Sequence, residues 1–157
     1  MNFDIAFERL MGHEGRYVWH PNDPGGETNW GISKRSYPNL DIKNLTEQQA
    51  KEIYKRDFWD RMRIEKLPPL IQFDVFDCCV NSGLQRASTL LQRAVGEVED
   101  GLLGTNTMAA IAGVEPSHLL ARFNAHRLIF MASLDGWPVF GRGWARRIAN
   151  NLLEAIK

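Results

Sequence analysis

Only two cysteines occur in the 157 residues, and they are neighbours, Cys78 and Cys79. A disulfide framework needs spaced pairs, whereas adjacent side chains on a helix diverge by roughly 100°, so both are expected as free, buried thiols. Histidine is scarce as well. His13, His20, His118 and His126 have no cysteine at ligand spacing, and His118 and His126 lie more than two helical turns apart, so neither a metal nor a cofactor is expected. Net charge is absent: nineteen Lys plus Arg balance nineteen Asp plus Glu, which excludes a protein that works by coating nucleic acid. Long apolar runs are missing too. The opening MNFDIAFERLMGHE carries Asp4, Glu8 and Arg9 and reads as neither a signal peptide nor a membrane span, so the product is expected to start in the cytoplasm. Repeats and low-complexity segments are also lacking.

What is present is a large apolar share, 44%, with five Trp and eight Phe, enough for a sizeable core in one compact domain over 1–157. Phe3, Phe7, Leu10, Met11 and Glu14 recur at helical spacing, which predicts an opening helix with Glu14 on its apolar stripe and a stop at Gly15. The segments RYVWH and ETNWGI flank PNDPGG and predict a short β-hairpin or irregular ribbon over 16–32. The rest reads as helical. Thr46 and Gln49 form a capping box ahead of Ala50, Ile53, Tyr54 and Phe58; Pro68 and Pro69 open a central helix that stops near Gly83. Ala87, Leu90, Leu91, Ala94 and Val95 make a further stripe, followed by helices over about 105–112 and from Pro116, the latter with Leu119, Leu120, Phe123, Leu128, Ile129 and Met131. DGWPVFGRG reads as turn-rich, with a last amphipathic helix from about Trp144. The fold class is therefore mainly α, a helical bundle with one small β-hairpin near the N-terminus.

Charge is uneven along the chain: residues 117–157 carry Arg122, Arg127, Arg142, Arg146, Arg147 and Lys157 against Asp135 and Glu154, a balance of +4, leaving −4 for the rest. Either this is a solvated helix face, or it meets an anionic surface such as outer-membrane lipid through the last helix, whose stripe of Ile148, Leu152, Leu153 and Ile156 is expected to pack inward.

The chemistry concentrates in HEGRYVWHPNDPGGETNWGIS, residues 13–33, where Glu14 ends an apolar stripe, Asp23 stands in a polar turn and Thr28 follows. Glycoside hydrolysis requires two carboxyl groups in unlike surroundings. One is kept protonated by apolar burial to donate to the leaving oxygen, and the other stays ionised to steer water or stabilise an oxocarbenium-like transition state. Glu14 suits the acid and Asp23 the base. Taken alone, both residues are equally ordinary members of a helix end and a turn, Glu27 reads as a solvated hairpin residue, and Thr28 as a β-branched strand residue. Tyr17, Trp30 and Trp137 are either sugar-stacking rings or core. Asn81 and Ser82 either line a cleft or cap the central helix.

Glu14, Gly15, Tyr17, Asp23, Pro24, Gly25, Gly26, Thr28, Trp30, Gly31 and Ile32, in that order, resemble the signature of glycoside hydrolase family 108, muramidase-type phage endolysins and related murein hydrolases. FDVFDCCVNSG, LLQRAVG and DGLLGTNT resemble the family's second half, a peptidoglycan-binding-like region. The resemblance implies a lysozyme-like α+β fold with the hairpin beside the cleft, a catalytic segment over 1–66 and a helical lobe over 67–157. It makes Glu14 the essential acid, with Asp23 and Thr28 positioning water. Arg16, Trp19 and His20 depart from the family's usual residues. The implied activity is N-acetylmuramidase cleavage of the β-1,4 bond between N-acetylmuramic acid and N-acetylglucosamine, by a monomer serving as a phage endolysin that reaches the periplasmic wall through a holin or a secretion route. A lytic transglycosylase would dispense with Asp23 and Thr28, and a non-catalytic wall-binding protein with Glu14 or Asp23.

Overall fold

The computed structural model describes residues 1–12, 17–19 and 26–157, which form two compact units, Asn2–Trp59 and Met1 with Asp60–Lys157. Among the described residues there are seven α-helices and one two-stranded antiparallel sheet near the N-terminus, as the sequence predicts.

In the unit Asn2–Trp59, helix α1 (Phe3–Met11) starts at Asn2, whose side-chain oxygen accepts from the Ile5 amide at 2.9 Å and satisfies a donor that has no partner in the first turn. Phe3, Ala6, Phe7 and Leu10 form its buried stripe. The helix closes at Met11 with Gly12 as its C-cap, where the period had predicted a stop at Gly15. Helix α2 (Glu47–Tyr54) has the predicted capping box, Thr46 and Gln49 each satisfying the other's backbone amide, and runs on into a π-helical turn over Lys55–Asp60. Rings join α1 to this segment. Phe7 meets Tyr54 edge-on at 5.7 Å and Phe3 meets Trp59 at 5.5 Å.

Strands β1 (Thr28–Asn29) and β2 (Ile32–Ser33) pair through a turn at Trp30 and Gly31, with Thr28 opposite Ser33 and Asn29 opposite Ile32. Both turn residues have positive φ, 54° and 73°, as a type I′ hairpin turn requires. The hairpin turn therefore falls at Trp30–Gly31, and the expected pairing across PNDPGG is represented by a single bridge between Val18 and Thr28.

In the unit Asp60–Lys157, a short 3-10 turn (Ile64–Lys66) leads to α3 (Pro69–Ser82), which Pro69 opens and Gly83 closes. Residues Ile71 through Cys79 are all buried, so α3 is a central helix enclosed on every side rather than an amphipathic one. Helices α4 (Leu84–Val95), α6 (Pro116–Ala132) and α7 (Trp137–Ala155) pack on it, and α5 (Thr105–Ala112) packs on α4. Cys78 and Cys79 are buried free thiols; burial pushes the Cys78 thiol up to about 11 and raises Cys79 as well.

Helix α7 begins at Trp137, seven residues before the expected start. Pro138 lies in its first turn, where proline is favoured, and Gly141 leaves room for the Trp137 ring: a Cβ there would stand 2.5 Å from the ring. Trp137 and Phe140 gather against Trp144, with ring centroids 6.2 and 5.8 Å away.

Two helices bury only part of the stripes expected: Leu119, Leu120, Phe123 and Met131 in α6 and Ile148 in α7. In α6 the polar Asn124 and Arg127 are buried, while Leu128 and Ile129 are exposed. In α7 the inward seam is Gly141, Ile148 and Asn151, and Leu153 and Ile156 face solvent. The reason is a buried ionic cluster. Asp77 of α3 accepts from Arg127 NH2 at 2.6 Å, from Arg147 Nε at 2.8 Å and from Asn151 Nδ2 at 3.0 Å. One step along, Asn124 donates to Asp74 at 2.9 Å. Burial favours the neutral acid at Asp77, but the charges of Arg127 and Arg147 prevail and hold its carboxyl below the usual range. The cationic last quarter is thereby corrected at two positions: Arg127 of α6 is fully buried, Arg147 of the last helix is largely so, and both pair with Asp77. Arg122, Arg142 and Arg146 remain exposed.

Candidate active site

Thr28 is the central position of the ribbon. Its amide donates to the Val18 carbonyl at 2.9 Å and its carbonyl accepts from the Val18 amide at 2.8 Å, while Ser33 lies opposite on the other side. With its backbone used in this way, the half-buried side chain is the part of Thr28 left for chemistry. The same bridge ties together the two ends of the segment 19–27, which carries Asp23. Lys34 donates to the Glu27 carbonyl at 2.8 Å, carrying the pairing one residue further.

Side-chain period places Asn29 on the face opposite Thr28, and Asn29 is buried. Its amide donates to the carbonyls of Ile42 at 3.1 Å and Leu45 at 3.3 Å, anchoring the ribbon on the 42–45 loop. Trp30 reinforces the anchor: its indole N–H donates to Leu45 O at 3.0 Å, and its own carbonyl accepts from the Tyr54 hydroxyl at 3.0 Å. These bonds hold a bulky residue in the left-handed region, a conformation that costs free energy unless its surroundings enforce it. Trp30 is thus a half-buried anchor of the ribbon. Gly26, the last residue of PNDPGG, has φ 69°, a conformation glycine adopts without steric cost.

Tyr17 is exposed, and its hydroxyl donates to Glu27 Oε1 at 3.3 Å. Partial desolvation and the Glu27 carboxylate raise its phenol above the ordinary tyrosine range. Tyr17, Thr28 and Trp30 are therefore brought together by one ribbon. Glu14, Asp23 and Gly25 lie outside the described residues, so the expectation for the acid and the water-positioning carboxylate is carried by the sequence. Asn81 and Ser82 belong to the helical unit, at the end of α3. The Asn81 amide donates back to Asp77 O at 2.8 Å and to Asp77 Oδ1 at 3.3 Å, and Ser82 lines a cavity of about 490 Å³ with Gln85, Arg86, Thr89 and Glu99.

Sequence reasoning passed over Asn29 and Tyr54, which hold the ribbon in place. The signal was the run Asn29-Trp30-Gly31, a turn with glycine at its second central residue.

Comparison with known proteins adds the decisive observation. The family model for glycosyl hydrolase 108 matches residues 7–83, a span that contains the ribbon, Glu14, Asp23 and the whole of α3. The solved structure of Brucella abortus SagA superposes with a TM-score of 0.88 at 30% identity, over 98% of this chain and 93% of that one. The chain belongs to the glycosyl hydrolase 108 family. No curated protein matches it. This family member is a glycoside hydrolase, of the lysozyme type that acts on peptidoglycan, and its fold is that of SagA throughout. Glu14, Tyr17, Asp23, Thr28, Trp30, Asn81 and Ser82 fall within the matched span of the glycosyl hydrolase 108 model, and Trp137 lies outside it.

Proposed function

We propose that the protein is an N-acetylmuramidase that cleaves the β-1,4 bond between N-acetylmuramic acid and N-acetylglucosamine and serves as a phage endolysin. The observation that carries this reading is the family match over 7–83, which spans Glu14, Asp23 and Thr28 in their signature order. Glu14 donates a proton to the leaving glycosidic oxygen. Asp23, ionised, and Thr28, through its hydroxyl, hold the water that completes the reaction. The Val18–Thr28 bridge supports the part given to Thr28, since it commits the Thr28 backbone and leaves its side chain for the water. Tyr17 and Trp30 are assigned to substrate binding in the unit Asn2–Trp59, and Asn81 and Ser82 to substrate binding in the helical unit.

The division between a catalytic segment over 1–66 and a helical lobe over 67–157, the monomeric state, synthesis in a host cytoplasm and passage through a holin or secretion route belong to the same proposal. Among the described residues, no helix is long and apolar enough to cross a membrane. Contact with anionic outer-membrane lipid is proposed for Arg142 and Arg146 beside the exposed Val139 and Phe140, with Arg147 excluded by its pairing with Asp77.

Mass spectrometry of muropeptides released from purified sacculi tests the reaction. Hydrolysis gives products with a hydrated reducing end. Products lighter by one water would assign a lytic transglycosylase and remove the water-holding roles of Asp23 and Thr28.

A further inference from the structure

Among the described residues, the segment 17–19 joins the ribbon through a single backbone pair, Val18 with Thr28. One pair specifies register weakly, and a slip by one residue turns every side chain of a strand to its other face. Here the register also decides how many residues close the segment 19–27, which carries Asp23, before the chain reaches Thr28. Something beyond the backbone pair must therefore hold it in place.

A side-chain bond crosses this pair. Since Val18 and Thr28 stand opposite each other, alternation makes Tyr17 and Glu27 diagonal neighbours on the other face of the ribbon, a separation that long side chains span. The Tyr17 hydroxyl donates to Glu27 Oε1 at 3.3 Å, and a charged acceptor makes such a bond stronger than one between neutral groups. Glu27 reads from the sequence as a solvated hairpin residue, yet it is half-buried and its carbonyl is held by the Lys34 amide at 2.8 Å. Lys34 sends its own ammonium to Leu40 O at 2.7 Å, so the cation next to Glu27 along the ribbon is directed elsewhere. The bond thus links a residue ahead of the pair to one inside the closed segment, as a diagonal brace does, and a slip of either strand breaks it. We propose that Glu27 is a positioning residue for hydrolysis, which holds the Tyr17 hydroxyl across the Val18–Thr28 pair and so fixes the register that presents Asp23 to Thr28. The proposal rests on the roles given above to Asp23 and Thr28.

Steady-state kinetics of the full chain on purified sacculi test it with Glu27→Ala, Tyr17→Phe, the two combined, and Glu27→Gln. Each of the first two is expected to lower kcat by about threefold to tenfold, the worth of one hydrogen bond, with KM little changed because the Tyr17 ring is kept. The combined variant is expected to lose no more than either single one, since both remove the same bond. Glu27→Gln is expected to recover most of the rate, because its amide oxygen still accepts the phenol proton. A readout independent of activity accompanies these: with carbon-13 in the tyrosine rings, the Tyr17 phenol should titrate lower in Glu27→Ala than in the wild type, whose phenol is raised by partial desolvation and by the Glu27 carboxylate. Additive losses, a change confined to KM, Glu27→Gln no better than Glu27→Ala, or an unmoved Tyr17 titration would each overturn the proposal. Near wild-type rates of both Asp23→Asn and Thr28→Ala would instead sink the roles of those two residues, a failure told apart because the coupling of Tyr17 to Glu27 is measured without them.

Discussion

Asp77 shows how far one residue can reorganise the reading of two helices. It sits in an apolar helix among Phe73, Phe76 and Cys78, and its partners Arg127, Arg147 and Asn151 lie 50 to 74 residues away, beyond any local pattern. Removing one member of a buried ion pair costs roughly 3 to 5 kcal/mol because the other charge is left without compensation. Arg147→Glu leaves Arg127 on Asp77 but sets a second carboxylate beside it, so it is expected to destabilise the protein by about 1 to 3 kcal/mol, and Arg146→Glu, on an exposed residue, by less than about 0.5 kcal/mol; denaturant titration of both variants checks the contrast. The same cluster gives a pH dependence. Since Asp77 is more acidic folded than unfolded, its contribution is complete above the unfolded value near ~3.9 and drains away as the pH falls through the lower folded value. Stability measured from pH 6 to pH 2 should fall more steeply for the wild type than for Asp77→Asn over the acidic part of that range. In the signature, Asp23→Asn is expected to impair hydrolysis more than Thr28→Ala, because losing the charge proposed to activate water outweighs losing one hydrogen bond of about 0.5 to 1.5 kcal/mol. Steady-state rates on purified sacculi give the order, and near wild-type activity of Asp23→Asn would contradict it.

Among the elements, those whose ends carry strong local signals were legible: the capping box of α2, the Pro-Pro start of α3 and its stop at Gly83, and the span of α5. Those that misled had signals overridden by packing. The stretch DGWPVFGRG looks like a loop by composition, yet it forms the first turns of α7 because Gly141 accommodates the Trp137 ring. The hairpin turn was sought in PNDPGG, the stronger turn composition, and lies at Trp30–Gly31, where the Leu45 carbonyl and the Tyr54 hydroxyl hold a tryptophan at positive φ. The two glycines of α7 offer a test with opposite signs. Gly143→Ala meets nothing within 4 Å and should stabilise the helix by about 0.5 to 1 kcal/mol, whereas Gly141→Ala drives a methyl into the Trp137 ring and should destabilise it despite the same gain in propensity. Thermal melts of the two variants should move in opposite directions.

At the scale of the whole molecule, the helical pattern was enough for the fold class, which the likeness to SagA over 98% of the chain bears out. The cationic last quarter was legible as composition and misread as surface only in part: Arg122, Arg142, Arg146 and Lys157 are exposed, while Arg127 and Arg147 are turned inward onto an acid from α3. The site is legible in a different sense. Thr28, Tyr17 and Trp30 are gathered on one ribbon as the motif implies, while the acid itself rests on the order of residues in the motif and on the family match. The role of Glu14 is accordingly the claim most in need of a direct measurement. Wild type and Glu14→Gln, with matched circular dichroism and melting, are to be compared for the rate of reducing-end release from purified sacculi. The amide keeps the shape of the acid and cannot donate the proton, so the rate should fall by about 10² to 10⁴-fold, and a variant within a factor of a few of the wild type would contradict the account.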